Sequence, residues 1–149
     1  MTEPCSHILI PLDGSTAAEA ALPKALALAK LSGAQITLLL IVPRIDTIIP
    51  TGAEPIYVDE QMNAEKARAL QYLKRVCEQI GPQAFRVTVA VETGNVAGAI
   101  LDYAATHAVD LIAMTTHGRS GLQRWVLGSV AEKIVHAADL PVLLVRTKT

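Results

Sequence analysis

Short apolar runs alternate with helical segments along the whole chain, and this alternation limits the possible folds more than any other feature. Runs rich in Ile, Val and Leu predict buried β-strands at residues 7–12, 34–42, 85–92, 109–116 and 141–145. Helical segments separate successive runs, and parallel strands require such crossovers, which are expected to be right-handed. The sequence therefore predicts one α/β domain over residues 1–149. Its core would be an open, five-stranded, mostly parallel sheet with helices on both faces.

The predicted helices have recognisable ends. Thr16 and Glu19 have the spacing of a capping box, so we expect a helix from about Ala17 to a C-terminal cap at Gly33. Pro23 lies inside this segment and is expected to cost a hydrogen bond or to bend the helix. The other helices are predicted at about 59–80, 96–106 and 129–136, with Ser129 capping the last of them.

Charge and composition exclude several classes of function. A formal net charge of −1 offers no attraction for nucleic acid or anionic membranes. The apolar runs are too short to span a bilayer, and the N-terminus lacks the pattern of a signal peptide. Cys5 and Cys77 belong to no metal-binding or redox motif, and the histidines are scattered. We therefore expect a cytoplasmic protein without a protein-built metal site.

Two glycine-containing segments follow predicted strands, at the edge where open α/β sheets bind ligands. PLDGS (11–15) follows the first strand and TTHGRSG (115–121) the fourth, and Gly128 precedes the last predicted helix. Glycines allow close main-chain approach, the amides of a helix N-terminus bind phosphates, and Arg119 can add positive charge. The alternative is that these glycines only shape a turn and Ser129 only caps a helix. The GxxxxGK[ST] and GxGxxG motifs are absent, so neither a Ras-like GTPase nor a dinucleotide dehydrogenase is expected.

Two stretches resemble the universal stress protein family. ILIPLDGS (8–15) looks like that family's first strand and aspartate-bearing turn, and MTTHGRSGLQRWVLGSVAEKIVHAADLPVLLVR (114–146) looks like its C-terminal signature. In the ATP-binding branch a Gly, two residues, a second Gly and nine residues precede Gly-Ser or Gly-Thr. Gly118 and Gly128-Ser129 match the second part, whereas Thr115 replaces the first Gly. The resemblance implies a Rossmann-like fold of strand order 3-2-1-4-5, similar to the adenine nucleotide alpha hydrolases.

The resemblance also implies a ligand and a partner. The ligand would be ATP or another adenine nucleotide, with any Mg²⁺ held mainly by phosphates and water. The implied contacts are Asp13 and the Val42 main chain for adenine, Pro11 and Thr115 for the ribose side, and Gly118, Gly128, Ser129 and the Val130 amide for the phosphates. A homodimer would form through the last strand, Val142, Leu143, Leu144 and Val145.

Three functions remain open on the sequence. The first is an ATP-binding regulatory dimer of the stress response, the second a slow ATPase and the third a nucleotide-free interaction module. The sequence alone identifies no Ser, Cys or carboxylate that would make His117 a general base, so we interpret it as a loop histidine near phosphates and assign no catalytic residue. Thr115 favours the nucleotide-free module, whereas Gly118 and Gly128 favour nucleotide binding.

A charged helix and an irregular segment are the remaining features of the sequence that can be interpreted. The second predicted helix carries Lys66, Arg68, Lys74 and Arg75 together with Glu65 and Glu78, and we interpret these charges as a solvated face rather than a nucleic-acid patch. The irregular segment 43–58 is either a lid over the adenine or a surface loop.

Overall fold

The strands form one parallel sheet in the order β3-β2-β1-β4-β5, which confirms the expected fold. The structure is a computed structural model that describes residues 4–44, 55–117 and 127–147. The strands are β1 (His7–Pro11), β2 (Gln35–Pro43), β3 (Val87–Gly94), β4 (Leu111–Thr115) and β5 (Val142–Val145). The order reverses between β1 and β4, so a crevice opens at the carboxyl ends of these two neighbouring strands.

The helices follow the strands in the expected alternation. They are α1 (Thr16–Glu19), α2 (Leu22–Ser32), α3 (Pro55–Ile80), α4 (Val96–Thr106) and α5 (Ser129–Ala137). The bounds predicted for α4 are confirmed, and its N-cap Asn95 accepts a hydrogen bond from the Gly98 N–H. The predicted start of α3 was wrong by one turn, because the helix begins at Pro55, a residue suited to a first helical position.

The first predicted helix is divided in two. The chain leaves α1 at Ala20, and α2 begins at Leu22, so Pro23 lies in the first turn of α2, where its missing N–H costs no hydrogen bond. The proposed cap was also wrong: Ser15, not Thr16, accepts the Ala18 N–H at 3.1 Å. Gly33 does cap the C-terminus, with a positive φ of 75°.

Alternating side chains of the strands build two apolar layers. Ile8 and Ile10 of β1 pack with α2 and α3 on one face, whereas Leu9 packs with α4 and α5 on the other. All three are fully buried, as expected for a parallel sheet covered on both sides. Because both layers consist largely of aliphatic side chains, the few polar groups inside them need specific partners.

His7 is such a group, at the amino end of β1. Its Nδ1 lies 3.0 Å from the His107 carbonyl oxygen, so Nδ1 carries the proton and donates it. Its Nε2 lies 2.8 Å from the Thr37 hydroxyl and accepts a hydrogen bond from it. His7 is therefore a satisfied structural histidine at the end of the sheet opposite the crevice.

Asp110 joins the amino ends of β1 and β4. Its Oδ2 accepts the Ser6 N–H and hydroxyl, both at 2.8 Å, and the His7 N–H at 2.9 Å. These bonds, the Ser6 hydroxyl first among them, hold the pKa of Asp110 below the ordinary value of 3.8.

Asp110 should therefore give the fold an acid-sensitive contribution. A carboxyl whose pKa is lower in the folded chain stabilises the fold above its unfolded pKa, and this stabilisation is lost as pH falls through the folded value. We expect Asp110→Asn to lower the free energy of unfolding at pH 7, with the difference from the unaltered protein shrinking below about pH 4. Urea unfolding at pH 7, 5 and 3 measures this, and a difference that does not vary with pH would contradict it.

Candidate functional site

A cavity of about 650 Å³ opens at the carboxyl ends of β1, β2 and β4. It reaches both faces of the sheet, since residues of α1 and α3 line one side and residues of α4 and α5 the other. Its size and mostly apolar lining suit a small organic ligand. Of the residues expected at a site, it brings together Pro11, Asp13, Val42, Thr115, Gly128, Ser129 and Val130. Gly118 and Arg119 lie outside the described residues.

Asp13 has a structural role as well as a place in the cavity. Its Oδ1 accepts the Ser15 N–H at 2.9 Å and the Ser15 hydroxyl, which fixes the turn between β1 and α1. Asp13 also lines the cavity. A structural role in the turn is therefore compatible with the ligand contact that the resemblance implies for Asp13.

The N-terminus of α5 forms the opposite wall. Gly128 is its N-cap, and no side chain caps the helix within the part of the chain that the structure describes. The expectation that Ser129 is the cap was wrong, because the Gly128 carbonyl accepts the first helical N–H, from Glu132, at 2.9 Å. Ser129 and Val130 thus stand in the first turn, where main-chain amides have no partner inside the helix.

Gly128 is held against the end of β4. Its N–H donates to the Thr116 carbonyl oxygen at 2.8 Å, so this amide is already used within the protein. A Cβ added at Gly128 would lie 3.1 Å from that same oxygen. The glycine is therefore required by close main-chain approach, rather than by an unusual φ, since its φ is −59°.

Thr115 shows how the chain accommodates a side chain at the end of β4. The residue is 5% exposed, and its hydroxyl donates to the His117 carbonyl oxygen at 2.8 Å. Its polar atom is thus satisfied by the turn that follows. The ring Nδ1 of His117 lies 3.0 Å from the Thr116 hydroxyl, so side-chain hydrogen bonds hold the chain from Thr115 to His117.

Helix α3 supplies a wall that the sequence interpretation missed. Arg68, Ala69, Tyr72 and Arg75 all line the cavity. The interpretation of Arg68 and Arg75 as part of a solvated face was therefore incomplete, although Arg68 is largely exposed and pairs with Glu65. Tyr72 follows Ala69 by three residues and Arg68 by four, and Arg75 follows Arg68 by seven, so these residues lie on one side of the helix. The spacing alone does not show whether that side faces the sheet, another helix or solvent.

Tyr72 carries the most unusual polar atom of the cavity. Its hydroxyl is buried and has no hydrogen-bond partner among the described residues. Burial first, and then the nearby Glu19 carboxylate, raise the pKa of this phenol. Tyr72 thus keeps its proton at neutral pH, and its O–H meets no acceptor in hydrogen-bond geometry within the described ranges.

Within the described ranges there is no group of three or more His, Cys, Asp or Glu side chains that could hold a metal ion. Among the same residues, no helix combines the length and the apolar character that crossing a bilayer would require.

Solved structures share this fold. The universal stress protein UspA from Lactobacillus plantarum is similar with a TM-score of 0.81 and 26% identity, covering 97% of this chain and all of that one. A universal stress protein in complex with cAMP has a TM-score of 0.62 at 21% identity, covering 98% and 100%. An Arabidopsis thaliana family member with AMP bound has a TM-score of 0.63 at 19% identity, covering 97% and 93%.

Sequence comparison gives a narrower result. The chain is 32% identical over 141 residues to universal stress protein MJ0531 of Methanocaldococcus jannaschii, covering 93% of this chain and 81% of that one. It is 31% identical over 146 residues to YxiE of Bacillus subtilis, covering 95% and 99%. The model of the universal stress protein family matches residues 5–146. The chain therefore belongs to the universal stress protein family.

Proposed function

We propose that this protein binds ATP in the cavity and acts in the cytoplasm as a nucleotide-dependent regulatory dimer of the stress response. The observation that carries the proposal is the cavity itself. It gathers every described residue that the family resemblance assigns to an adenine nucleotide, from three strands and one helix distant in the chain. Such a crevice at the switch point of an open α/β sheet is where this class of fold binds nucleotides.

The chemistry of the lining suits the parts of a nucleotide. Asp13 and the Val42 main chain would hold the adenine, with Pro11 and Thr115 along the ribose side. Phosphates would meet the first-turn amides of α5, where the helix N-terminus favours negative charge and no described side chain serves as a cap. Since the Gly128 N–H is used within the protein, the amides of Ser129 and Val130 are the better donors. Gly118 and Arg119 would complete the phosphate site, and any Mg²⁺ would be held by phosphates and water.

The cAMP and AMP complexes of proteins with this fold support an adenine nucleotide as the ligand class. A ligand changes a regulatory surface only if it binds two states with different affinity. Strand β4 connects the cavity to the edge of the sheet, because its carboxyl end lines the cavity and the strand pairs with β5. Nucleotide could therefore bias an interface at that edge.

The dimer would form through β5, which is the last strand of the sheet and, among the strands that the structure describes, pairs only with β4. The carbonyls of Pro141 and Val145 accept N–H groups of the β4 side, from Ile112 and Thr116 at 3.1 Å. Because main-chain groups alternate along a strand, the N–H groups of Val142 and Leu144 point to the open edge. An exposed apolar edge of this kind favours pairing with a second copy.

Leu144→Pro should therefore give a monomer. Proline removes the N–H that faces the open edge and leaves the bonds to β4 in place. The matched control is Leu144→Ala, which trims the same side chain but keeps the N–H and should remain dimeric. Light scattering distinguishes the 15.8 kDa chain from its dimer. A monomeric unaltered protein, or equal masses for the two variants, would contradict the proposed edge.

A nucleotide-free interaction module is the second candidate, and Thr115 is the observation that favours it. Thr115 stands where the ATP-binding branch has glycine, and the residue lines the cavity and is almost fully buried. Its hydroxyl donates to the His117 carbonyl, however, so a bound ligand would not have to satisfy that group.

Calorimetric titration of nucleotide-stripped protein with Mg-ATP tests the proposal. We expect saturable binding of about one nucleotide per chain, the stoichiometry of a single cavity of this size. No heat up to millimolar ATP, from protein shown to be folded by circular dichroism, would reject the nucleotide function and favour the interaction module. A turnover assay on the same sample identifies the slow ATPase, which would release phosphate many times per chain.

A further inference from the structure

The family resemblance assigns no nucleotide contact to Tyr72, whose hydroxyl is buried. Tyr72 lies on α3, and that helix packs against β2 and β3 on the face that also receives α1 and α2. An unpartnered buried hydroxyl is uncommon, because it gives up its bond to water without a replacement. A hydroxyl retained at such a cost calls for an acceptor that is not among the described residues.

The position of Tyr72 indicates which part of a nucleotide could supply that acceptor. Side chains alternate along β2, and Leu38 and Leu40 belong to the layer on the α3 face, so Val42 projects toward the same face. Tyr72 thus shares the cavity with Val42 and with Asp13, whose charge is near enough to influence the phenol. The α5 end of the cavity, where phosphates would bind, lies on the other face of the sheet. The base, rather than the phosphates, is therefore the neighbour that α3 would contact.

We propose that the Tyr72 hydroxyl donates a hydrogen bond to a ring nitrogen of the bound adenine, next to the amino group held by Asp13. This inference rests on the proposed nucleotide function and adds a residue that determines base specificity. Adenine presents an amino donor beside a ring-nitrogen acceptor, so a carboxylate and a phenolic O–H form a matching pair. A guanine would instead set its O6 acceptor against the Asp13 carboxylate.

The proposal predicts opposite effects of one substitution on stability and on binding. Tyr72→Phe removes the unpartnered hydroxyl, so the nucleotide-free protein should melt at the same temperature or a higher one. The same substitution should lower the affinities for ATP, AMP and adenosine by the same factor. We expect about threefold to tenfold, which corresponds to the loss of one neutral hydrogen bond. A purely structural Tyr72 would lose stability and affinity together.

Tyr103→Phe is the matched control. It makes the same chemical change on α4, where the ring stacks on His107 with centroids 3.7 Å apart and does not line the cavity. We expect no change in nucleotide affinity for this variant.

Deaza nucleotides identify the acceptor atom. The analogues 1-deaza-ATP and 7-deaza-ATP each lack one ring nitrogen of adenine, and both are titrated into the unaltered protein and into Tyr72→Phe. The analogue that lacks the acceptor nitrogen should bind the two proteins equally well. If Tyr72→Phe binds ATP as tightly as the unaltered protein, or loses affinity only for phosphorylated ligands, the inference is wrong while the nucleotide function stands. If the unaltered protein binds no adenine compound, both are wrong.

Discussion

Replacing Gly128 by valine is expected to weaken Mg-ATP binding by at least about tenfold, equivalent to about 1.4 kcal/mol. A single Cβ at this position would already lie 3.1 Å from the Thr116 carbonyl oxygen, and valine adds two methyl groups beyond it. The carbonyl belongs to the main chain and cannot rotate away, so β4 and the start of α5 must move apart. That movement displaces the first-turn amides of α5 from the residues at the end of β1.

The graded variant Gly128→Ala should show the same loss to a smaller extent, since the contact needs a shift of only a few tenths of an ångström. Gly98→Ala is the control. An added Cβ there lies 3.4 Å from the Asn95 side-chain oxygen, an ordinary contact, and the residue is in α4. Calorimetric titration of the three variants, with melting temperatures measured in parallel, checks the expectation. Tight ATP binding by Gly128→Val would show that α5 does not hold the phosphates.

The strands were predictable because burial on both faces leaves a strong local signal. A run such as 34–42 is apolar at almost every position, and it becomes the strand Gln35–Pro43, paired on both sides. Their order was not predictable from local patterns, since every right-handed arrangement of such units satisfies them equally. It came from the resemblance of two stretches to a family, and the pairing of β1 with both β2 and β4 confirms it.

The site residues divide in the same way. Asp13, Thr115 and Gly128 stand directly after strands or before a helix, so a general rule about sheet edges directs attention to them. Tyr72 stands in the middle of a 26-residue helix, and its place in the cavity depends on how α3 is rotated about its axis against the sheet. That rotation is set by the packing of Leu73 and Val76 in the core, a tertiary fact that the helical pattern suggests only in outline.

Errors at the helix starts have a different cause. Ser15 and Thr16 both carry a hydroxyl able to cap a helix, and a spacing rule cannot choose between neighbours. Asp13 makes the choice in the folded chain, because its carboxylate accepts the Ser15 N–H and so places that residue before the first turn. At α5, the contact between Gly128 and Thr116 places the glycine at the cap position and leaves Ser129 inside the helix.

Truncation of Leu38 is expected to have the largest effect on stability, about 2–5 kcal/mol in the free energy of unfolding for Leu38→Ala. Leu38 is fully buried in the layer between the sheet and helices α2 and α3, on a strand paired on both sides. Few nearby side chains can move to fill the space, since the sheet fixes the main chain and the neighbours are branched aliphatic residues. The cavity left behind therefore adds to the lost burial of the side chain.

Leu31→Ala makes the same chemical change at a position that is 86% exposed, at the end of α2. We expect that variant to differ from the unaltered protein by no more than about 0.5 kcal/mol. Urea unfolding followed by circular dichroism gives both values from the midpoint and slope. A similar cost for the two substitutions would mean that the α2–α3 layer is loosely packed. The wall formed by α3 would then be too mobile to hold Tyr72 beside a bound base, so this comparison bears on the ligand site as well as on the fold.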